Sequence, residues 1–394
     1  MKKKLLGVLL SAAMLGTMLV GCGSAPSTAD NSKTEDTEKT DDSQQADNGA
    51  DADADADADG DAKPAGDLTI EIVSKGFQHQ FWQSVLKGAE KRAKELGVKI
   101  NFVGPNSESD IADQVQMLTN AINAAPNAIA LAALDTDACL DAISQAQSAN
   151  IPIVGFDSGV PGAPDGAIVA NAATDNYNAG AMAAEEAYKA ALKDRIANAS
   201  GPVRIGVMGQ DATSESIISR GLGFVDKMIE LAEGDNKTVS VEGNDKYVTD
   251  STGETKDGAD VILEIVVPAS VTSELSAVDC QTLLNKPDII AIYGSNQHSG
   301  DAMVTGDENL NKFGTGDDQV IGIAFDSGKV IKDAVKNGKF IGAITQAPVA
   351  MGEAVVQLCV NAATGEEVKD VDTGCQWYTA ENIDSEEISQ NLYD

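Results

Sequence analysis

From Leu68 onward the chain alternates between short β-rich apolar runs and longer segments with helical spacing, and this alternation constrains the fold more than any other feature. Leu68–Val73, Val98–Val103, Ala128–Leu134 and Ile151–Phe156 read as strands, separated by helices over Gln80–Leu96, Ile111–Ala124 and Asp137–Ala149. In the first helix Val85, Leu86, Ala89 and Ala93 recur on one face, and Gly97 ends it. After a link near Asn171–Asp175 a second series begins. Val203–Met208, Val261–Val267, Ile289–Tyr293, Val320–Phe325 and Phe340–Thr345 read as strands. Ser214–Ala232, Val271–Leu284, Lys329–Asn337 and Pro348–Ala363 read as helices, and Asn244–Asp260 as a polar surface excursion. Runs apolar on both faces indicate parallel strands covered by helices. Two similar open α/β sheets are the economical architecture.

The segment before Leu68 has a different character. Met1-Lys2-Lys3-Lys4 followed by the apolar Leu5–Val20 is the pattern of a secretion signal, too short for a comfortable membrane span. Leu19-Val20-Gly21-Cys22 resembles a bacterial lipobox, which would make Cys22 a lipidated residue and the membrane a partner through acyl chains alone. Between Gly23 and Asp67 stand 14 acidic residues against three lysines, a composition that cannot bury enough to fold and reads as an extended acidic linker. Across all 394 residues, 62 Asp and Glu against 28 Lys and Arg give a net charge of -34. Nucleic acid is therefore a poor partner, and aromatics at 4% leave no base-stacking groove. Five cysteines and two histidines give no basis for a metal centre or a disulfide scaffold. Cys139, Cys280 and Cys359 fall within predicted helices, and a Cys359–Cys375 bridge is only geometrically conceivable. The Gly-rich Arg220-Gly-Leu-Gly segment lies inside a helical pattern, so it is not a dinucleotide fingerprint.

Ligands of open parallel sheets bind beyond the carboxyl ends of the strands. There the sequence delivers Asp157, Asn296, Asp326 and Gln346. Two carboxylates and an amide pair with no cationic cluster suit a neutral ligand rich in hydroxyls. Phe81-Trp82, just after the first strand, offers aromatic faces for the C–H face of a sugar, or two core residues at a helix start. His79 and His298 fall on the same cleft loops, one in each half, where facing imidazoles would make closure pH-sensitive.

Several blocks in register from about Asp67 to about Cys375 resemble the ribose-binding branch of periplasmic binding proteins, the solute-binding subunits of ABC sugar importers. These are Leu68–Val73 with Phe81-Trp82, Asn150–Ser158, Thr174-Asp175-Asn176 with Gly180, Ser219–Phe224, Tyr293–Asn296, Ile323–Ser327 and Ile344–Gln346. The resemblance implies that Phe81 and Trp82 sandwich a sugar with partners from the other lobe, and that Asp157, Asn296, Asp326 and Gln346 hold hydroxyls. It also implies that Arg220 is structural. Ribose-type members follow the first aspartate with arginine, where this chain has Ser158, and place another where it has Ile217 or Ile218. Their first contact asparagine is replaced by His79. Ribose is therefore in doubt, another pentose, a hexose, an amino sugar, a polyol or a furanose signal is open, and Glu215 is a candidate replacement contact.

The expectation is a two-lobed α/β protein of the type I periplasmic architecture, with three crossings near Ala173, Gln346 and Cys375. Residues 1–21 form the signal, and 22–67 the lipidated cysteine and linker. Residues 68–173 with 347–375 form one lobe, and 174–346 with 376–394 the other. The chain is expected to be a monomer without cofactor or metal that closes on a sugar and is recognised by an ABC permease and ATPase complex. Closure of a mostly open ensemble needs roughly 5.5 kcal/mol of differential binding. A sensor presenting the closed form to a histidine kinase or chemoreceptor is the alternative. A glycosidase using Asp157 and Asp326 as acid and base is the rival from another class.

Overall fold

The computed structural model describes residues 68–394. The expected signal segment, Cys22 and the acidic linker lie outside the described residues. The first sheet begins with β1 (Thr69–Val73), α1 (Gln80–Leu96), β2 (Lys99–Val103), α2 (Ile111–Asn123), β3 (Ala128–Leu131), α3 (Leu140–Ser148), β4 (Ile153–Phe156) and β5 (Ile168–Ala173). All pairings are parallel, in the order β2-β1-β3-β4-β5. The period of two along the strands divides their side chains between two cores. Ile70, Ile72, Ala130, Val154 and Phe156 face α1, while Val73, Ile129, Leu131 and Ile153 face α2 and α3.

The second sheet follows α4 (Asn176–Ala187), a π-helical turn over Tyr188–Leu192 and α5 (Lys193–Ala197). It takes β6 (Val203–Met208), α6 (Glu215–Gly234), β7 (Val239–Gly243), α7 (Asp245–Asp250), β8 (Val261–Val266) and α8 (Ser273–Leu284). It continues through β9 (Ile289–Gly294), α9 (Gln297–Asp307), β10 (Ile321–Phe325), α10 (Lys329–Lys336) and β11 (Phe340–Gln346). Then α11 (Pro348–Thr364) packs on the first sheet, β12 (Val371–Asp372) joins β5, β13 (Cys375–Tyr378) runs antiparallel to β11, and α12 (Glu386–Ser389) follows. The second sheet has the order β7-β8-β6-β9-β10-β11-β13.

The chain passes between the sheets three times, after β5, after β11 and between β12 and β13. The passages lie side by side: Thr373 N donates to Ala173 O at 3.0 Å, Thr174 Oγ1 to Gly374 O at 3.2 Å, and Gln346 pairs with Cys375. Cys375 is thus already in the second sheet. In each lobe a pair of helices meets in close backbone contact at glycine. A Cβ on Gly88 of α1 would lie 2.0 Å from the Val349 carbonyl oxygen of α11, and one on Gly223 of α6 would lie 1.9 Å from the Tyr177 carbonyl oxygen of α4. Packing, not a nucleotide, accounts for the glycines after Arg220.

Two readings from sequence need correction. The link at Asn171–Asp175 is mostly strand: β5 is Ile-Val-Ala-Asn-Ala-Ala, whose alanines and Asn171 hide its β character, and burial between β4 and β12 decides it. The excursion at Asn244–Asp260 contains α7, whose Tyr247 is fully buried and donates to the Ile217 carbonyl oxygen at 3.3 Å, and it is preceded by the edge strand β7. Cys139, Cys280, Cys359 and Cys375 are all free thiols, so Cys359 and Cys375 are not bridged.

Candidate functional site

The carboxyl ends of both sheets face one cleft of about 570 Å3, within the size range of small-molecule sites. Its two principal carboxylates arise from the same local sequence. Phe156-Asp157-Ser158 ends β4 and Phe325-Asp326-Ser327 ends β10. Asp157 and Asp326 both adopt left-handed backbone, at φ +55° and +71°. A short polar side chain tolerates that region, and such conformations collect where a side chain must be aimed. Both carboxylates are buried, at 3% and 6% exposure.

A guanidinium stands between them. Arg220 Nη2 lies 3.7 Å from Asp157 Oδ1 and Nη1 lies 3.6 Å from Asp326 Oδ2, while Nε donates to Asn176 Oδ1 at 2.8 Å. The guanidinium carbon sits 4.2 Å over the Phe325 ring. A second cation, Lys75, enters beyond the end of β1 and meets Asp157 Oδ2 at 2.9 Å. Burial alone would push its pKa down, but Asp157 and Glu108 more than offset this and hold it above the ordinary lysine value. The absence of a cationic cluster, expected from sequence, is therefore wrong. Lys75 is a cation beside Asp157 where Ser158 replaces the family arginine, and Arg220 lines the cleft instead of serving the fold alone.

The amides complete the wall. Gln346 Nε2 donates to Asp326 Oδ1 at 2.6 Å, and Gln297 N donates to Asp326 Oδ2 at 3.1 Å. Asn296 caps α9, its Oδ1 accepting from Ser299 N at 3.1 Å, and donates to Gln210 Oε1 at 2.7 Å. Gln210 in turn donates to Glu108 Oε2 at 3.1 Å, and Trp82 Nε1 donates to Glu108 Oε1 at 2.7 Å. Burial would raise the Glu108 pKa, but Lys75, His79 and these donors lower it below the usual carboxylate value. Arg220 Nη2 and Gln346 Oε1 are buried without a hydrogen-bond partner among the described residues. A donor and an acceptor thus face the cleft unsatisfied, a costly arrangement unless a ligand engages them.

Of the sequence-predicted residues, Phe81, Trp82, His79, Asp157, Asn296, His298, Asp326 and Gln346 all line this cleft. Trp82 is 1% exposed and meets Phe81 edge-on at 4.9 Å, so the pair is both core and cleft edge. The aromatic lining, Phe77, Phe81 and Trp82, comes from the first lobe, while the second contributes the aliphatic Ile217 and Val271. His79 caps α1, its Nδ1 accepting from Phe81 N at 3.3 Å. His298 Nε2 meets Ser276 Oγ at 2.9 Å, and burial lowers its pKa. Glu215 is not brought to this cleft. It is the first residue of α6, accepts from Ser219 Oγ at 2.7 Å and Gly159 N at 3.4 Å, and lines a different opening. Sequence reasoning missed Lys75, Glu108 and Gln210, although each follows the carboxyl end of a strand (β1, β2 and β6) and the rule that found Asp157 would have found them.

Residues 70–367 match the family model described as periplasmic binding protein domain. A ribose import binding protein of Bacillus subtilis (strain 168) is 25% identical over 309 residues, 77% of this chain and 84% of that protein. Among solved structures, one described as an ABC transporter, LacI family transcriptional regulator from Brachyspira murdochii is 36% identical. It has a TM-score of 0.71 and covers 83% of this chain and 99% of its own. An ABC transporter solute-binding protein from Agrobacterium vitis with bound D-fucose is 29% identical, with a TM-score of 0.66 over 82% of this chain and 100% of its own.

Proposed function

We infer, from the premise that this chain belongs to the periplasmic binding protein domain family, that it is the extracytoplasmic solute-binding subunit of an ABC importer, taking a neutral monosaccharide or related polyol by closure of two lobes. The observation that carries the ligand class is the composition of the cleft wall. Three carboxylates (Glu108, Asp157, Asp326) and two cations (Lys75, Arg220) nearly cancel, and the cations lie against the carboxylates. An anionic ligand meets no free cation among these groups, whereas hydroxyls can donate to the remaining carboxylate lone pairs and to Gln346 Oε1, and accept from Arg220 Nη2. The ribose and D-fucose of the relatives belong to that class.

The glycosidase reading is set aside on geometry. The Arg220 guanidinium fills the space between Asp157 and Asp326 where a scissile bond would lie. Binding without turnover is the proposed chemistry, with the permease recognising the closed form. The motif at Cys22 supports a lipid anchor on the outer face of the cytoplasmic membrane, which radiolabelled palmitate and a Cys22→Ser variant would test. The test of function is a thermal-shift panel on the domain from residue 68 onward, using D-ribose, D-fucose, D-glucose and mannitol beside D-glucuronate. A rise in Tm with a neutral member supports the reading by mass action. A rise with glucuronate alone, or with none, rejects it.

A further inference from the structure

The N-terminus of α6 is built in a way its own sequence does not require. Ser214 occupies the N-cap position, where a serine hydroxyl ordinarily accepts from a backbone N–H of the first turn, yet it makes no such bond. Its Oγ instead accepts from Lys75 Nζ at 3.1 Å and lies 3.2 Å from Ser158 Oγ, both residues of the first lobe. The orphaned donor of that turn, Ser216 N, is met by Ser158 Oγ at 3.3 Å, and Ser216 Oγ accepts from Lys75 at 3.0 Å. Gly159 N adds a bond to Glu215 at 3.4 Å. The helix of one lobe is capped by the other.

Lys75 Nζ donates to Ser214 Oγ and Ser216 Oγ in the second lobe and forms an ion pair with Asp157 Oδ2 at 2.9 Å in its own. We propose that Lys75 and Ser158 form a latch with Ser214 and Ser216, so that closing the lobes completes the cap of α6 and the protein is partly closed before any solute enters. On this account Ser158 is a functional substitution, and Lys75 is a positioning residue that holds Asp157 toward the ligand and slows its release. Separating the lobes would return two buried serines, an ammonium and a helix terminus to water, which is what keeps the latch reversible.

The consequence for solute release rests on the function inferred above; the latch itself does not. Two variants, Ser158→Ala and the pair Ser214→Ala/Ser216→Ala, leave the Lys75–Asp157 pair in place. Without added sugar, the expected results are a larger radius of gyration by X-ray scattering and, at the backbone amide of position 216, about tenfold faster hydrogen exchange corrected for the intrinsic rate of the residue there, with a full urea transition showing an intact fold. With D-ribose and D-fucose as stopped-flow probes, about tenfold faster dissociation with a near-constant association rate is expected. Unchanged scattering and unchanged exchange in both variants would overturn the latch even if a sugar binds. If no neutral member of the thermal-shift panel binds wild type but the ligand-free differences appear, the latch stands and the function is what fails.

Discussion

Removing Asp157 isolates the electrostatics of the cleft. Asp157→Ala leaves the Lys75 ammonium 3% exposed with two hydroxyls in hydrogen-bond contact and Glu108 as its remaining nearby carboxylate. At an effective dielectric of about 20, a pair at 2.9 Å is worth roughly 6 kcal/mol of attraction. The loss cannot reach that figure, because Lys75 can give up its proton. Taking a lysine from its ordinary pKa to neutrality at pH 7 costs about 4.6 kcal/mol, and this caps the penalty. A loss of about 3–5 kcal/mol at pH 7 follows, in line with other broken buried pairs and a large share of a stability of about 5–15 kcal/mol. At pH 9 the cap falls to about 2 kcal/mol, so the variant should recover relative to wild type. The wild-type pair does not share this trend. The folded pKa of Lys75 is raised, so its contribution is complete below the ordinary lysine value and is lost only as pH climbs through the higher folded value. Urea unfolding followed by circular dichroism at both pH values reads the difference. A loss below about 1 kcal/mol at pH 7, or equal losses at pH 7 and pH 9, would refute the buried-pair account.

Three further outcomes are expected. Gln346→Ala removes both the bond to Asp326 and the unpartnered acceptor, so titration calorimetry with the sugar found by thermal shift should show at least about tenfold weaker binding, and an unchanged Kd would remove Gln346 from the site. Gly88→Ala should destabilise by about 1–3 kcal/mol despite alanine's better helix propensity, because its Cβ would lie 2.0 Å from the Val349 carbonyl oxygen. A higher melting temperature would show that α1 and α11 can part freely. Burial pushes the Asp301 carboxyl up to about 6, so the folded state holds its proton more tightly than the unfolded chain, and its ionisation removes stability as pH rises from about 4 to 6. Asp301→Asn should therefore match wild type below pH 4 and exceed it above pH 6 in Tm, and parallel profiles would contradict this.

The alternation of periods made the frame readable. Gln80–Leu96 and Val203–Met208 are bounded in the structure as the sequence implies, because a glycine stop and a two-sided apolar run are local signals. Where the signal was not local, it failed. α9 carries Gly300 and Gly306, poor helix formers that let it pack against Ile331 and against Ala277 and Cys280. No helical period announces such a segment, since what stabilises it belongs to its neighbours. β7 and β12 are an edge strand and a two-residue strand, whose pairing comes from β8 and β5 and not from their own composition.

The site was legible in Asp157, Asp326, Asn296 and Gln346, and strand-end position also marks Lys75, but the pairing of its cations was illegible, for a physical reason. Asp157 and Asp326 end strands of recognisable pattern, so position alone gives their direction. Lys75 is separated from Asp157 by 82 residues, and nothing in either neighbourhood shows that β1 and β4 flank β3 and bring the two strand ends to one cleft. Arg220 reads as an ordinary helical arginine until α6 is seen to aim it between two aspartates. The sign of a site is set by tertiary pairing, and a tally of the acids at strand tips overstates its negative charge. That correction keeps the neutral ligand class but changes its reason. Hydroxyls suit this cleft because its opposite charges are already matched and what remains open is a small set of hydrogen-bond atoms, Gln346 Oε1 and Arg220 Nη2 among them.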